Sequence, residues 1–137
     1  MQISQKGLYA LEALIYLARH YDEGPVKIHR IAAEEKLPEK FLEAILLGLK
    51  RARILESVRG AKGGYKLKRR PSQIFLGEII RTIDGPVAAF GDAEVLRRLV
   101  ERDKKHSALF RVFLSVRNAA AGIVDHTSLA DVCHGRN

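Results

Sequence analysis

Hydrophobic positions after Ser4 recur at three- and four-residue steps: Leu8, Leu11, Leu14, Ile15 and Ala18 share one helical face. Ser4 is a candidate N-cap, and Asp22-Glu23-Gly24-Pro25 supplies the stop. A short second helix is predicted over about 28–35, with Ile28, Ile31 and Ala32 inward. Lys36-Leu37 breaks it, and Pro38 suits the first turn of a third helix over about 38–52. Leu42, Ile45, Leu46 and Leu49 form the buried stripe of that helix. Two helices joined by so short a turn read as a helix-turn-helix. From Ile54 to Arg70 the period drops to two around Gly60-Ala61-Lys62-Gly63-Gly64, which predicts a hairpin with a glycine-rich tip. A hairpin in that place is the order of a winged helix-turn-helix.

Beyond Pro71-Ser72, Leu76 to Asp84 reads as an amphipathic helix with Ile79, Ile80 and Ile83 inward, stopped at Gly85-Pro86. Ala93 to Lys105 is a charged helix that offers Leu96, Leu99 and Val100 for packing. Ser107 to Val124 is apolar around most of its circumference, with a seam of Leu109, Phe113, Val116, Ala120 and Ile123. So apolar a helix in so small a chain predicts packing on a second copy. Thr127 or Ser128 would cap a last short helix, Leu129 to Cys133. The expected fold is therefore mainly α with a small β-hairpin wing. A DNA-binding unit would span 1–86 and a dimerisation and effector segment 87–137.

Charge sharpens this outline. Of the formal net charge of +8, +7 falls in residues 1–70. Nine cations, Lys50, Arg51, Arg53, Arg59, Lys62, Lys66, Lys68, Arg69 and Arg70, lie between positions 50 and 70, where only Glu56 is acidic. Cations on a helix end and the wing that follows it suit an anionic polymer. Tyr65 is the one aromatic residue among them, too few stacking platforms for a single-strand binder. The single Cys133 excludes an internal disulfide and fits a reducing cytoplasm. The start of the chain has no apolar leader, and no apolar run approaches the roughly 20 residues of a membrane span.

Three stretches, residues 1–18, 38–67 and 76–86, resemble in consistent order the IscR/NsrR-type family of bacterial winged-helix regulators, the Rrf-two family. The resemblance implies a homodimer on pseudo-palindromic promoter DNA, repressor or activator, with the third helix in the major groove and the wing in the minor groove. It places Pro38, Glu39, Lys40 and Phe41 at the helix start that approaches bases and phosphates, with Lys50 and Arg51 at its basic end. Glu43 matches an acidic position that accepts from a cytosine amino group. Arg59 and Gly60 match the Arg-Gly of the wing, which continues through Lys62, Gly63, Gly64 and Tyr65. Ala44 stands where many relatives have Gln, which removes one polar base contact. Many members also hold an iron–sulfur cluster through three cysteines, and the segment from Gly85 to His106 has none. No cofactor is therefore expected, and the signal would be a small-molecule or protein effector or a thiol reaction, or there would be no signal at all.

His106, His126, Cys133 and His134 match no zinc spacing and read more simply as surface histidines with an inert thiol than as a metal site. The glycines at 60–64 lead into a strand, not into the helix a phosphate loop requires, and no catalytic triad or metalloprotease set is present. An enzyme is not expected. The competing reading is a winged-helix module that docks an acidic protein and lacks specific DNA binding.

Overall fold

In a computed structural model, residues 3–86 and 93–133 are described. Helix α1 (Gln5–Arg19) starts at Ser4, whose Oγ accepts from the Gly7 amide at 2.9 Å. Its inward face is Ala10, Ala13, Leu14 and Leu17, and Leu8 is 49% exposed. The inward placement expected for Leu8 is thus corrected. Small alanines let neighbouring elements approach closely, and this rotates the buried face away from position 8.

Val26 follows a short turn, and α2 (Ile28–Glu35) ends at Lys36, which adopts a left-handed conformation with φ 55°. Leu37 is buried, and Pro38 is the N-cap of α3 (Glu39–Arg51), one position before the predicted first turn. The four apolar positions of its stripe are all at most 1% exposed. Strands β1 (Leu55–Val58) and β2 (Gly64–Leu67) pair antiparallel, Leu55 opposite Leu67 and Val58 opposite Gly64. Val26 adds a third strand-like contact, exchanging two 2.8 Å backbone bonds with Tyr65.

Helix α4 (Leu76–Asp84) buries Ile79 and Ile80 as the pattern predicts. Asp84 at its C-terminus accepts from the Ser4 amide at 3.1 Å and from the Ser4 hydroxyl. A carboxylate is unfavourable at the end of its own helix but favourable at the start of α1. Helices α5 (Ala93–Arg102) and α6 (Ser107–Val124) pack on each other. Helix α7 (Leu129–Cys133) then returns to the first half of the chain.

Ser128 caps α7 in a reciprocal pair: its amide donates to Asp131 at 2.9 Å, and its Oγ accepts from the Asp131 amide at 3.2 Å. Backbone bonds of 2.9 Å join Leu129 to Ile74 and Leu76 to Thr127, and Leu129 is fully buried in the core made by α1–α4. The core therefore draws on both sides of residue 86.

Helix α6 is long and largely apolar. Over 18 residues its mean hydropathy is 1.3, enough by length and composition to cross a membrane, and only 11% of it is buried. Arg111, Ser115, Arg117 and Asn118 interrupt it, and it packs on the charged α5.

Candidate nucleic-acid interface

The stripe that buries one side of α3 leaves Pro38, Glu39, Lys40, Phe41, Glu43, Ala44, Lys50 and Arg51 on the other, all exposed. Phe41 is 39% exposed and meets Tyr9 of α1 edge to face, with ring centroids 5.7 Å apart. The Tyr9 hydroxyl in turn accepts from Gln5 Nε2 at 2.9 Å. The start of α3 is thereby fixed to the first half of α1, which puts Gln5 and Tyr9 beside it. Sequence reasoning did not single out these two residues, because a contact across 32 positions leaves no local pattern.

The wing needs its glycines for different reasons. Gly60 has φ +105° with open space around it, so the requirement there is conformational. A Cβ on Gly63 would lie 2.0 Å from the Val58 carbonyl oxygen, and one on Gly64 2.3 Å from that of Val26. Lys27 Nζ donates to the Gly60 carbonyl at 2.9 Å, which ties the tip to the residue before α2. Arg59 and Lys62 stay exposed at the tip. Tyr65 is different: its ring is half-buried against the core, so it supports the wing from behind.

The expected block of nine cations divides. Lys66 sits opposite Glu56 in the strand register and pairs with it at 3.1 Å. Arg69 pairs with Glu78 of α4 and donates to the Gln73 carbonyl at 3.1 Å. The other seven have no ion-pair partner among the described residues. Six of them lie along the end of α3 and the hairpin, a surface able to neutralise several phosphates, whereas Arg70 lies past the hairpin, beside Pro71 and near the end of α1.

On α6, Leu109, Val112, Val116 and Ile123 are 49%, 58%, 51% and 68% exposed. With the exposed Ala119 they form an apolar stripe at steps of three, four, three and four residues. Phe113 and Ala120, expected on the same seam, are half-buried on the inner side of the helix, where Ala121 is buried. Arg81 of α4 grips Asp125, just past α6, with two hydrogen bonds of 2.5 and 2.9 Å. Each holds the other charged: the hydrogen bond from Arg81 lowers the Asp125 pKa, and the bond to Asp125 raises that of Arg81.

No group of three His, Cys, Asp or Glu residues among the described residues is placed to hold a metal. His126 Nδ1 lies 2.8 Å from the Gly122 carbonyl and His106 Nδ1 3.0 Å from Asp103, while His134 lies outside the described residues.

Comparison with known proteins agrees with this geometry. Residues 3–135 match the family described as Rrf2, iron-dependent transcriptional regulator. The HTH-type transcriptional regulator CymR of Bacillus subtilis is 36% identical over 132 residues, covering 96% of this chain and 89% of that protein. The regulator IscR of Aliivibrio salmonicida is 36% identical over 89 residues, 65% of this chain and 53% of that protein. Among solved structures, CymR of B. subtilis, titled the global cysteine regulator, superposes with a TM-score of 0.84 at 31% identity. That match covers 100% of this chain and 99% of the other. The IscR of T. potens gives 0.70 at 34% identity, covering 100% of this chain and 89% of that one. The chain belongs to the Rrf2 family, a winged helix-turn-helix family of transcriptional regulators.

Proposed function

We propose that the protein acts in the cytoplasm as a homodimer on pseudo-palindromic promoter DNA. Helix α3 enters the major groove through Pro38–Phe41 and Glu43, Lys50 and Arg51 meet phosphates, and the wing places Arg59 in the minor groove. The observation that carries this reading is the set of exposed cations at the end of α3 and at the wing tip that have no ion-pair partner among the described residues, on a hairpin whose glycines shape the tip. The outward stripe of α6 is the seam between protomers and sets the spacing of the half-sites. Its five apolar side chains span about 21 Å at the usual helical rise, and a solvated stripe of that length is costly unless covered. With one cysteine in the chain, the signal is not sensed through a three-cysteine iron–sulfur cluster.

The test is Arg59→Ala on a site obtained by binding-site selection. Operator affinity should fall about fivefold or more, the range expected for a lost groove contact worth about 1–3 kcal/mol, with the dimer intact by sedimentation. Affinity equal to the parent protein would remove the wing from the interface. Binding that falls with salt but shows no preference over random DNA would favour the protein-docking reading instead.

A further inference from the structure

The end of α1, the turn after it, residues 70–72 and α7 line a groove of about 670 Å³, within the range of small-molecule sites. It lies at the opposite end of α1 from Phe41, away from the recognition surface. Its floor is apolar, with Ala18, Pro71 and Ala130. Its charges are arranged unusually. Arg19 and Arg70 are exposed and have no carboxylate partner among the described residues, whereas the nearby Arg30 and Arg69 are both paired. Of the two carboxylates in the lining, Glu23 is engaged by Arg30 at 3.5 Å and by His20 at 3.7 Å. Asp22 has no such partner among the described residues. Open charges of both signs around an apolar floor are complementary to a ligand that carries both. The C-terminal end of α1 adds negative potential on the side of Asp22.

We propose that this groove binds a small zwitterion, an amino acid or dipeptide, its carboxylate on Arg19 and Arg70 and its ammonium on Asp22. The ligand would act as an effector, a role that rests on the regulatory reading above. The groove is lined both by the DNA-binding unit and by α7, which follows α6 after residues 125–128; Leu129 at the start of α7 bonds to Ile74, and Thr127 just before it bonds to Leu76. A ligand seated there touches both parts and shifts their equilibrium by as much as it binds one arrangement better than the other.

The experiment uses the whole protein, in melting and calorimetric titrations with the L-amino acids and a set of dipeptides led by L-alanyl-L-alanine. At least one zwitterion should bind and raise the melting temperature. Its N-acetyl and amide forms, each lacking one charge, should not. Arg70→Gln and Asp22→Asn should each weaken binding about tenfold or more while melting like the parent in the absence of ligand. No binding by any zwitterion, or equal binding of the N-acetyl form, overturns the assignment. On the selected operator, the saturating zwitterion should change DNA affinity about threefold or more, and an unchanged affinity overturns the effector role. Absence of any specific operator in the selection would instead count against the DNA reading and leave the titration result standing.

Discussion

Gly77 is where the packing makes its most exposed commitment. A Cβ there would stand 1.9 Å from Asp125 Oδ1 and 2.8 Å from Arg81 Nη1, so Gly77→Ala must displace the Arg81–Asp125 pair. The two side chains are 36% and 37% exposed, so solvent screens the pair. Its two-pronged geometry keeps its worth near the top of the exposed range, about 1 kcal/mol. Against this, alanine is favoured over glycine within a helix by up to about 1 kcal/mol. Alone, Gly77→Ala should therefore destabilise by no more than about 1 kcal/mol. In an Asp125→Ala background the nearer obstacle is gone and the Arg81 side chain, released from its partner, is free to swing aside, so the same change should stabilise by about 0.5 kcal/mol. The readout is the coupling in a double-mutant cycle by urea unfolding, expected at about 1 kcal/mol. Equal effects of Gly77→Ala in both backgrounds would refute the argument. The pH dependence follows from the lowered Asp125 pKa. The pair's contribution is full above the ordinary carboxylate pKa of about 4 and is lost as pH falls through the lower folded value. The stability difference between the parent protein and Asp125→Ala should close in acid.

Three further outcomes are expected. Glu43→Ala should relax base preference in a binding-site selection more than it lowers total affinity, and an unchanged consensus would refute its role. Val116→Glu, in the middle of the α6 stripe, should yield a folded monomer by sedimentation equilibrium with operator binding reduced at least about tenfold. Tyr16 is 3% exposed, its hydroxyl makes no hydrogen bond among the described residues, and burial, aided by the nearby Glu34 carboxylate, pushes its pKa up to about 12. Its contribution is full below the usual tyrosine pKa of about 10 and lost as pH rises through the folded value. Tyr16→Phe should therefore be near neutral at pH 7 and gain relative stability above about pH 10, read by urea unfolding.

How much of this was legible depended on whether the cause lay close in sequence. The α3 stripe, the glycine tip and α4 were readable because burial there follows a period of 3.6 or 2 within a few residues. Leu8 misled because leucine counts as strongly apolar, whereas Ala10 and Ala13 are inward for being small. The connections that fix how the elements sit together join residues of different elements: Phe41 on Tyr9, Lys27 on the Gly60 carbonyl, Arg69 on Glu78 and Arg81 on Asp125. A count of cations could not separate Lys66 and Arg69, which hold the fold, from the seven left for a partner. On α6 the composition pointed to a seam, but which residues face outward depends on where α5 lies. That replaced Phe113 and Ala120 by Val112 and Ala119 on the exposed stripe.

The carboxylates of α3 bear most directly on what kind of nucleic-acid surface this is. A surface built only to neutralise phosphate gains nothing from acidic side chains at its leading edge, since each opposes the counterion-driven term. Glu39 has an independent reason to be there: it lies in the first turn of α3, where negative charge favours the helix. Glu43 is a turn further in, is exposed, and forms no ion pair among the described residues. Its neighbour four positions on is Leu47, so it adds nothing through a helical charge pair in that direction. A carboxylate at that position recovers its electrostatic cost where a base edge presents a donor, and in the major groove cytosine presents one. On the proposed interface, cations without ion-pair partners among the described residues that flank an exposed acid favour a reader of sequence over a general binder of anions, and the Glu43→Ala selection is the measurement on which that distinction turns.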